Sequence, residues 1–220
     1  MFDTNKFDVI LDEIKKEFGL SLEVKTSSER YGRQDKETKK LLEELQLVGH
    51  GGSEADKSTW MEKKKALGKV DFTSADLSNL DLSHLNFSGV SFGNANFFHT
   101  NLEWSNFSGV KCMLANFEGA NLHLSDFTGA LAINTNFKRA TITGVGFRGA
   151  LLPFANFEGA CLNFADFNKA VFYKATLKNA KIDGTRFDNA FYVEELLKEA
   201  KIKSVILLLD AAQTKRALNI

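Results

Sequence analysis

The 220-residue sequence is short of the charge, cysteine and apolar signals that usually point to function. It has 28 basic and 28 acidic residues, so no charge excess indicates nucleic acid or an anionic membrane, and we expect no direct nucleic-acid binding. The two cysteines, Cys112 and Cys161, favour a reducing compartment over a disulfide framework. The longest apolar run, residues 205–209, has five residues, against the roughly 20 that span a bilayer.

The start of the chain gives no targeting signal either. Residues 1–18 alternate charged with apolar side chains and contain no signal-peptide core. We therefore expect a cytoplasmic protein without a membrane span, or one secreted into a host cell by a route that needs no signal.

The residue patterns of common catalytic and metal sites are also missing. The glycine-rich residues 49–52 lack the lysine and the preceding strand of a phosphate-binding loop. Neither a nucleophile motif nor a paired acid and base is apparent. We therefore expect no enzyme and no cofactor. We also expect no metal site, because none of the four histidines stands at a zinc-site interval from a cysteine: His50, His84, His99 and His123.

What the sequence does contain is a five-residue period. Every fifth residue from Phe72 to Phe187 is bulky and apolar, except Cys112 and Ala132, over 24 positions. The residue two before is Ala in 13 of the 24 units, and the residue one before is Asp or Asn in 13. This spacing fits neither a helix nor a flat strand and is typical of a solenoid.

The flanks lack this period and predict three regions: residues 1–69, 70–190 and 191–220. In the first, we expect helices over 7–18, from Leu41 to Val48, and from the N-cap Ser53 to Leu67, with a polar, mobile link at 25–40. In the last, two helical stripes predict a C-terminal cap, formed by Val193, Leu196, Leu197 and Ala200, and by Val205, Leu208, Leu209 and Ala212. Both flanks would cover the ends of the solenoid.

The repeats at 75–79, 115–119, 155–159 and 165–169 resemble those of the pentapeptide-repeat family, and the resemblance covers 70–190. It implies a β-solenoid, specifically a right-handed quadrilateral β-helix with four repeats per coil. The bulky residue and the small residue two before it would point inward. With four repeats per coil, residues twenty apart should stack, and the sequence agrees, since one such set is entirely phenylalanine: Phe87, Phe107, Phe127, Phe147, Phe167 and Phe187. About six coils would then form a column roughly 29 Å tall.

One wall of this solenoid has apolar residues at outward positions over four successive coils. We call these nine residues the apolar stripe: Met113, Leu114, Leu131, Ile133, Leu151, Pro153, Phe154, Val171 and Tyr173. An exposed patch of this size is typical of a contact surface for another protein or a second copy. Alternatively, helix 7–18 or the C-terminal helices cover the stripe, or its side chains tip inward beside Cys112 and Ala132.

A second set of outward residues lies at one corner of another wall, and we call it the corner column: His84, Trp104, Leu124 and Phe164. The column either continues the contact surface of the stripe or is incidental.

The sequence thus favours a non-enzymatic interaction or scaffold module, and the resemblance suggests a bacterial regulator or a secreted effector. The alternative is a DNA-mimicking, gyrase-binding protein of the quinolone-resistance type. Charge argues against that alternative, because residues 70–129 have a net charge of −5 but residues 130–190 have +4. An enzyme within 1–69 would have too short a chain for an ordinary catalytic core.

Overall fold

The computed structural model describes residues 9, 12–17 and 36–198 of the chain. The chain forms two compact units, Met1–Arg33 and Gln34–Ile220. In the first unit Val9 and residues 12–17 are helical. These residues belong to the predicted helix 7–18, and the remainder of that prediction lies outside the described residues.

In the second unit, parallel backbone pairing joins residues that are twenty apart. Strand β1 (Val70–Asp71) pairs with β2 (Val90–Ser91). Single parallel bridges continue this register at every fifth residue up to the pair Val171 and Phe191. Each coil of the solenoid therefore takes twenty residues and hydrogen-bonds to the coil before and the coil after it.

A tight turn follows each short paired segment and makes the corner of the coil. In the first, the backbone N–H of Ala75 donates to the carbonyl of Phe72 at 3.0 Å, and Ser74 has a φ of 62°. All 24 such corner positions, every fifth residue from Ser74 to Asn189, have a positive φ between 51° and 75°. Asp71 accepts the backbone N–H of Thr73 at 2.9 Å, which explains the abundance of Asp and Asn one residue before the bulky position.

The interior consists of aromatic stacks and small residues. Phe97 stacks on Phe117 with ring centroids 4.6 Å apart, and Phe107 stacks on Phe127 at 4.7 Å. Where Thr replaces the inward Ala, its hydroxyl donates to a backbone carbonyl, as Thr100 does to Leu77 at 2.6 Å. Within the described residues, no buried side-chain nitrogen or oxygen lacks a hydrogen-bond partner.

Two helices precede the solenoid, α1 (Lys36–Gly49) and α2 (Glu54–Leu67). The N-cap of helix α2 is Ser53 and its C-cap is Gly68, as the sequence predicts, and a capping box joins Ser53 to Asp56. Helix α1 begins five residues before the predicted start at Leu41, so the prediction of a polar link through residue 40 is wrong at its C-terminal end. Lysine, glutamate and threonine extend the helix there, but they do not belong to the apolar face from which the helix was predicted.

Helices α1 and α2 close the N-terminal end of the solenoid. Trp60 is 1% exposed, and its indole lies 5.6 Å from the ring of Phe87 in an edge-on arrangement. No preceding coil pairs with the backbone edge of the first coil, and the two helices supply four hydrogen bonds to it. Asp81 N–H donates to Gly49 O at 2.9 Å, Gln46 Nε2 donates to Asp76 O at 2.9 Å, and Lys64 Nζ donates to Asn86 O at 2.9 Å and to Ser88 O at 2.7 Å.

At the other end, the short helix α3 (Val193–Lys198) follows the last bridge, and its Val193, Leu196 and Leu197 are buried. The second predicted C-terminal stripe, Val205 to Ala212, lies outside the described residues. None of the described helices has the length and hydropathy required to cross a membrane.

Removal of the Trp60 ring should test the contribution of the N-terminal cap. We expect Trp60→Ala to lower the free energy of unfolding by about 3–5 kcal/mol, because it leaves a cavity over Phe72 and Phe87. Urea unfolding followed by circular dichroism measures the change. The control is Ser58→Ala at an exposed position of α2, and equal midpoints for the two variants would contradict the assignment.

Candidate functional site: apolar surfaces of the solenoid

The apolar stripe is assembled by the twenty-residue ladder, in which Leu131, Leu151 and Val171 are consecutive bridge partners. Its side chains are less exposed than their outward positions predict. Ile133 is fully buried and Pro153 is buried, whereas the other seven, Met113, Leu114, Leu131, Leu151, Phe154, Val171 and Tyr173, are partly buried.

The alternative in which all nine residues form an open contact patch is therefore wrong for Ile133 and Pro153, and the burial of Ile133 next to Ala132 agrees with the alternative in which side chains tip inward. An outward position in the repeat describes the direction of the Cα–Cβ bond, and exposure also depends on what packs around the side chain. At the upper end of the stripe, neighbouring side chains cover part of the aromatic rings. The rings of Phe154 and Tyr173 lie 5.8 Å apart, and Lys174 Nζ lies 5.4 Å from the Tyr173 ring.

The stripe continues one coil beyond its predicted end. Phe191 is the bridge partner of Val171 and is 57% exposed, while Tyr192 is 44% exposed and its ring lies 5.2 Å from that of Tyr173. Neither residue belongs to the stripe predicted from the sequence, because the repeat was expected to end at Ala190. The signal was present, since Phe191 follows Leu131, Leu151 and Val171 at the same interval of twenty.

The corner column is exposed along its length. Trp104 is 55% exposed, Leu124 36% and Phe164 69%, and His84 is also exposed. Within each coil, one corner lies between this column and the Leu114 and Phe154 corner of the stripe in either direction around the coil. The two surfaces therefore lie at opposite corners of the four-cornered coil, and the column does not continue the stripe.

In two other coils the same corner is occupied by glycine, at Gly144 and Gly184. A Cβ placed on Gly144 would lie 2.7 Å from Leu124 Cδ2, and one on Gly184 would lie 2.6 Å from Phe164 Cδ1. Leu124 and Phe164 therefore extend over the glycine of the following coil and cover the corner with apolar atoms. Glycine at these two positions permits this close approach and also the positive φ of 69° and 68°.

Bulky residues at the corner column carry a conformational cost. Trp104, Leu124 and Phe164 have φ values of 59°, 55° and 60°. For an L-residue with a Cβ this left-handed conformation costs about 1–2 kcal/mol, which glycine avoids and which asparagine partly offsets by local hydrogen bonds. Because their side chains are exposed, packing in the core does not offset this conformational cost. The stability of the fold therefore does not explain why these residues occupy the corner.

Ion pairs occur in both halves of the solenoid, and in the lower half (residues 70–129) Asp81 lies 3.6 Å from Lys57 and Glu118 lies 3.9 Å from Arg139. In the upper half, Arg148 donates to Asp166 at 2.6 Å and Lys138 lies 3.0 Å from Glu158. Hydrogen bonding and charge attraction from Lys138 lower the pKa of Glu158. Near the lower corner column, Glu103 and Asp126 form no ion pair within the described residues.

The described residues offer little for catalysis. They contain no group of three or more His, Cys, Asp or Glu side chains that could hold a metal ion. Burial raises the pKa of the Cys112 thiol to about 12, so this cysteine is not a nucleophile near neutral pH. Cys161 is partly buried, with its Sγ 3.4 Å from Thr143 Oγ1, and both cysteines are free.

Comparison with known proteins identifies the repeat. A family model described as Pentapeptide repeats matches residues 75–111, 111–149 and 150–189 with eight copies. No curated protein matches the chain.

Solved structures of repeat proteins also match the chain. Full-length QnrB1, a plasmid-mediated fluoroquinolone resistance protein, is 17% identical, with 69% of this chain and 88% of that chain covered and a TM-score of 0.31. HetL from the cyanobacterium Nostoc sp. Strain PCC 7120 is 21% identical, with 60% and 93% covered and a TM-score of 0.20. Rfr23 from the cyanobacterium Cyanothece 51142 is 20% identical, with 61% and 99% covered and a TM-score of 0.27.

The two cysteines should differ sharply in reactivity. At about pH 8 we expect a disulfide reagent such as DTNB to label only Cys161 in the native protein, because burial keeps Cys112 protonated and inaccessible. In the Cys161→Ser variant, DTNB should release no coloured thionitrobenzoate until denaturant exposes the Cys112 thiol. Rapid labelling of native Cys161→Ser would contradict the buried position of Cys112.

Tryptophan fluorescence should report the exposure of the corner column separately from the core. The protein has two tryptophans, of which Trp60 is 1% exposed and Trp104 is 55% exposed. Acrylamide should quench the emission of Trp104, so we expect the readily quenched component to vanish in Trp104→Phe and to persist in Trp60→Phe. The opposite pattern would show that the corner column is covered in solution.

Proposed function

Since the chain belongs to the pentapeptide-repeat family, whose members form right-handed quadrilateral β-helices and generally serve as structural or interaction modules, we propose that it is a non-enzymatic protein-interaction or scaffold module. The distribution of exposed apolar side chains is the observation that carries this proposal. From residue 70 to residue 192, the exposed large apolar residues are Phe98, three in the corner column and two at the end of the stripe.

The rigid backbone supports this role. A ladder in which each coil hydrogen-bonds to its neighbours holds the exposed side chains at fixed spacings, so less conformational entropy is lost when a partner binds. An apolar set on a rigid polar surface is the usual composition of a contact site. The partner is another protein or a second copy of this chain. We propose that the protein itself is a bacterial regulator or a secreted effector.

We assign the main contact surface to the apolar stripe with its exposed continuation at Phe191 and Tyr192. This assignment is best tested by substitution at Phe191, in the exposed continuation of the stripe. Leu131 and Leu151 are partly buried, so a charged residue there would reduce folding stability along with binding. Phe191 stands at the repeat position where Asp and Asn are commonest, and a polar residue is compatible with the fold there.

Phe191→Asn should therefore remove binding without unfolding the protein. The matched control is Lys181→Asn, which places Asn at the same repeat position on another wall, where Lys181 is exposed. We expect cross-linked partners captured from the source cells, quantified by mass spectrometry, to be lost from Phe191→Asn and retained by Lys181→Asn. Sedimentation velocity of the same proteins shows whether the partner is a second copy. Equal capture by the two variants would contradict the assignment.

The alternative, a DNA-mimicking protein that binds gyrase, is less well supported by the charge distribution. Mimicry requires carboxylates that remain available along the whole length. Asp166 and Glu158 in the upper half are instead paired with Arg148 and Lys138. We expect no inhibition of gyrase supercoiling at micromolar protein, and inhibition at that concentration would favour mimicry over the scaffold assignment.

A further inference from the structure

The corner column has features that neither the fold nor the stripe explains. Trp104, Leu124 and Phe164 are exposed, apolar and held at positive φ. Glycine or asparagine occupies 13 of the 24 corners, as at Gly109 and Asn134, and the other bulky apolar corner residues, Leu114 and Phe154, belong to the stripe and are partly buried. Bulky residues that are unfavourable at their positions and contribute nothing to the core indicate a function at the surface.

The spacing along the column suits an α-helix lying parallel to the axis of the solenoid. Successive coils are about 4.8 Å apart, close to the 5.4 Å pitch of an α-helix. From Trp104 to Gly184 the column crosses four coil-to-coil steps, roughly 19 Å, which about 13 helical residues would span. Since Leu124 and Phe164 lie over Gly144 and Gly184, the column offers a near-continuous apolar strip to such a helix.

The charges beside the column indicate the character of that helix. Glu103 directly precedes Trp104, and Asp126 follows Leu124 by two residues on the adjoining wall. Both carboxylates form no ion pair within the described part of the chain, unlike Asp166, which pairs with Arg148. Asp126 Oδ1 accepts the backbone N–H of Thr128 at 2.9 Å, which leaves its negative charge without a cation. Carboxylates that lack an ion pair on both sides of the lower part of the strip favour a partner with basic side chains on both sides of an apolar ridge.

We propose that the corner column is a second binding surface, and that it binds an amphipathic α-helix of a partner protein whose apolar ridge is flanked by Lys or Arg. The inference deepens the proposed interaction function at a surface distinct from the stripe. Aromatic side chains could also stack with nucleic-acid bases, but Glu103 and Asp126 would repel the phosphates. Nucleic acid is therefore the disfavoured ligand.

Designed peptides provide the direct test. The probe is an 18-residue amphipathic helical peptide with a leucine ridge flanked by lysines, and its matched control has glutamate in place of every lysine. Fluorescence anisotropy of the labelled peptides measures affinity, and the emission of Trp104 reports contact. We expect the lysine peptide to bind at least about tenfold more tightly than the glutamate peptide, to protect Trp104 from acrylamide, and to lose affinity as salt rises.

Variants of the protein locate the site. Trp104→Asn suits the corner conformation and removes the central aromatic residue, so we expect it to weaken lysine-peptide binding by about tenfold or more. Phe98→Asn, which removes an exposed aromatic residue from another wall, should bind like the wild type. Glu103→Gln with Asp126→Asn should reduce both the affinity and its salt dependence, whereas Asp76→Asn on another wall should not.

Three results would overturn the proposal. The first is equal affinity for the two peptides, or no binding of either. The second is an equal effect of Trp104→Asn and Phe98→Asn. The third is self-association of the wild type that Trp104→Asn abolishes, which would make the occupant a second copy. Because Phe191→Asn leaves the corner column intact, peptide binding by that variant distinguishes failure of this proposal from failure of the stripe assignment.

Discussion

The hydrogen-bond ladder between residues twenty apart is the constraint on which the rest of the structure depends. Each coil donates to and accepts from its neighbours, so a coil of any other length would break the register for all that follow. The same ladder leaves an unpaired edge at each end. Helices α1 and α2 hydrogen-bond to the N-terminal edge, and Trp60 extends the aromatic core into that cap. The fold is therefore a repeated bonding pattern with one specialised end.

The corners connect this fold to function. All 24 corner residues adopt a positive φ, because the chain must turn sharply after each paired segment. Glycine and asparagine meet this demand at the lowest cost. Trp104, Leu124 and Phe164 do not, and their side chains lie outside the core. A residue that the fold disfavours and the solvent reaches is better explained by a partner than by folding, and for this reason the corner column carries more functional information than the polar walls.

The core of the solenoid was predictable because it depends on local rules. The five-residue period, the stacking of Phe107 on Phe127 and the caps of α2 follow from residue type and spacing alone. The start of α1 at Lys36 was not predictable from apolar spacing, because its first turn contains no apolar residue. The sequence left the exposure of Ile133 open between an outward contact residue and a side chain that tips inward beside Ala132, and the structure buries it, since the repeat specifies the direction of a side chain and gives no information on its surroundings.

By itself, the sequence determined the coil length, the inward residues and the positions of the corners, because each results from interactions between residues at fixed intervals along the chain. Only the tertiary structure decided which apolar residues remain exposed. It buried Ile133 and Pro153, left Trp104 and Phe164 in solvent, and extended the stripe to Phe191. The physical reason is that exposure is a property of everything that packs around a side chain, including segments distant in sequence, and no repeat pattern encodes it.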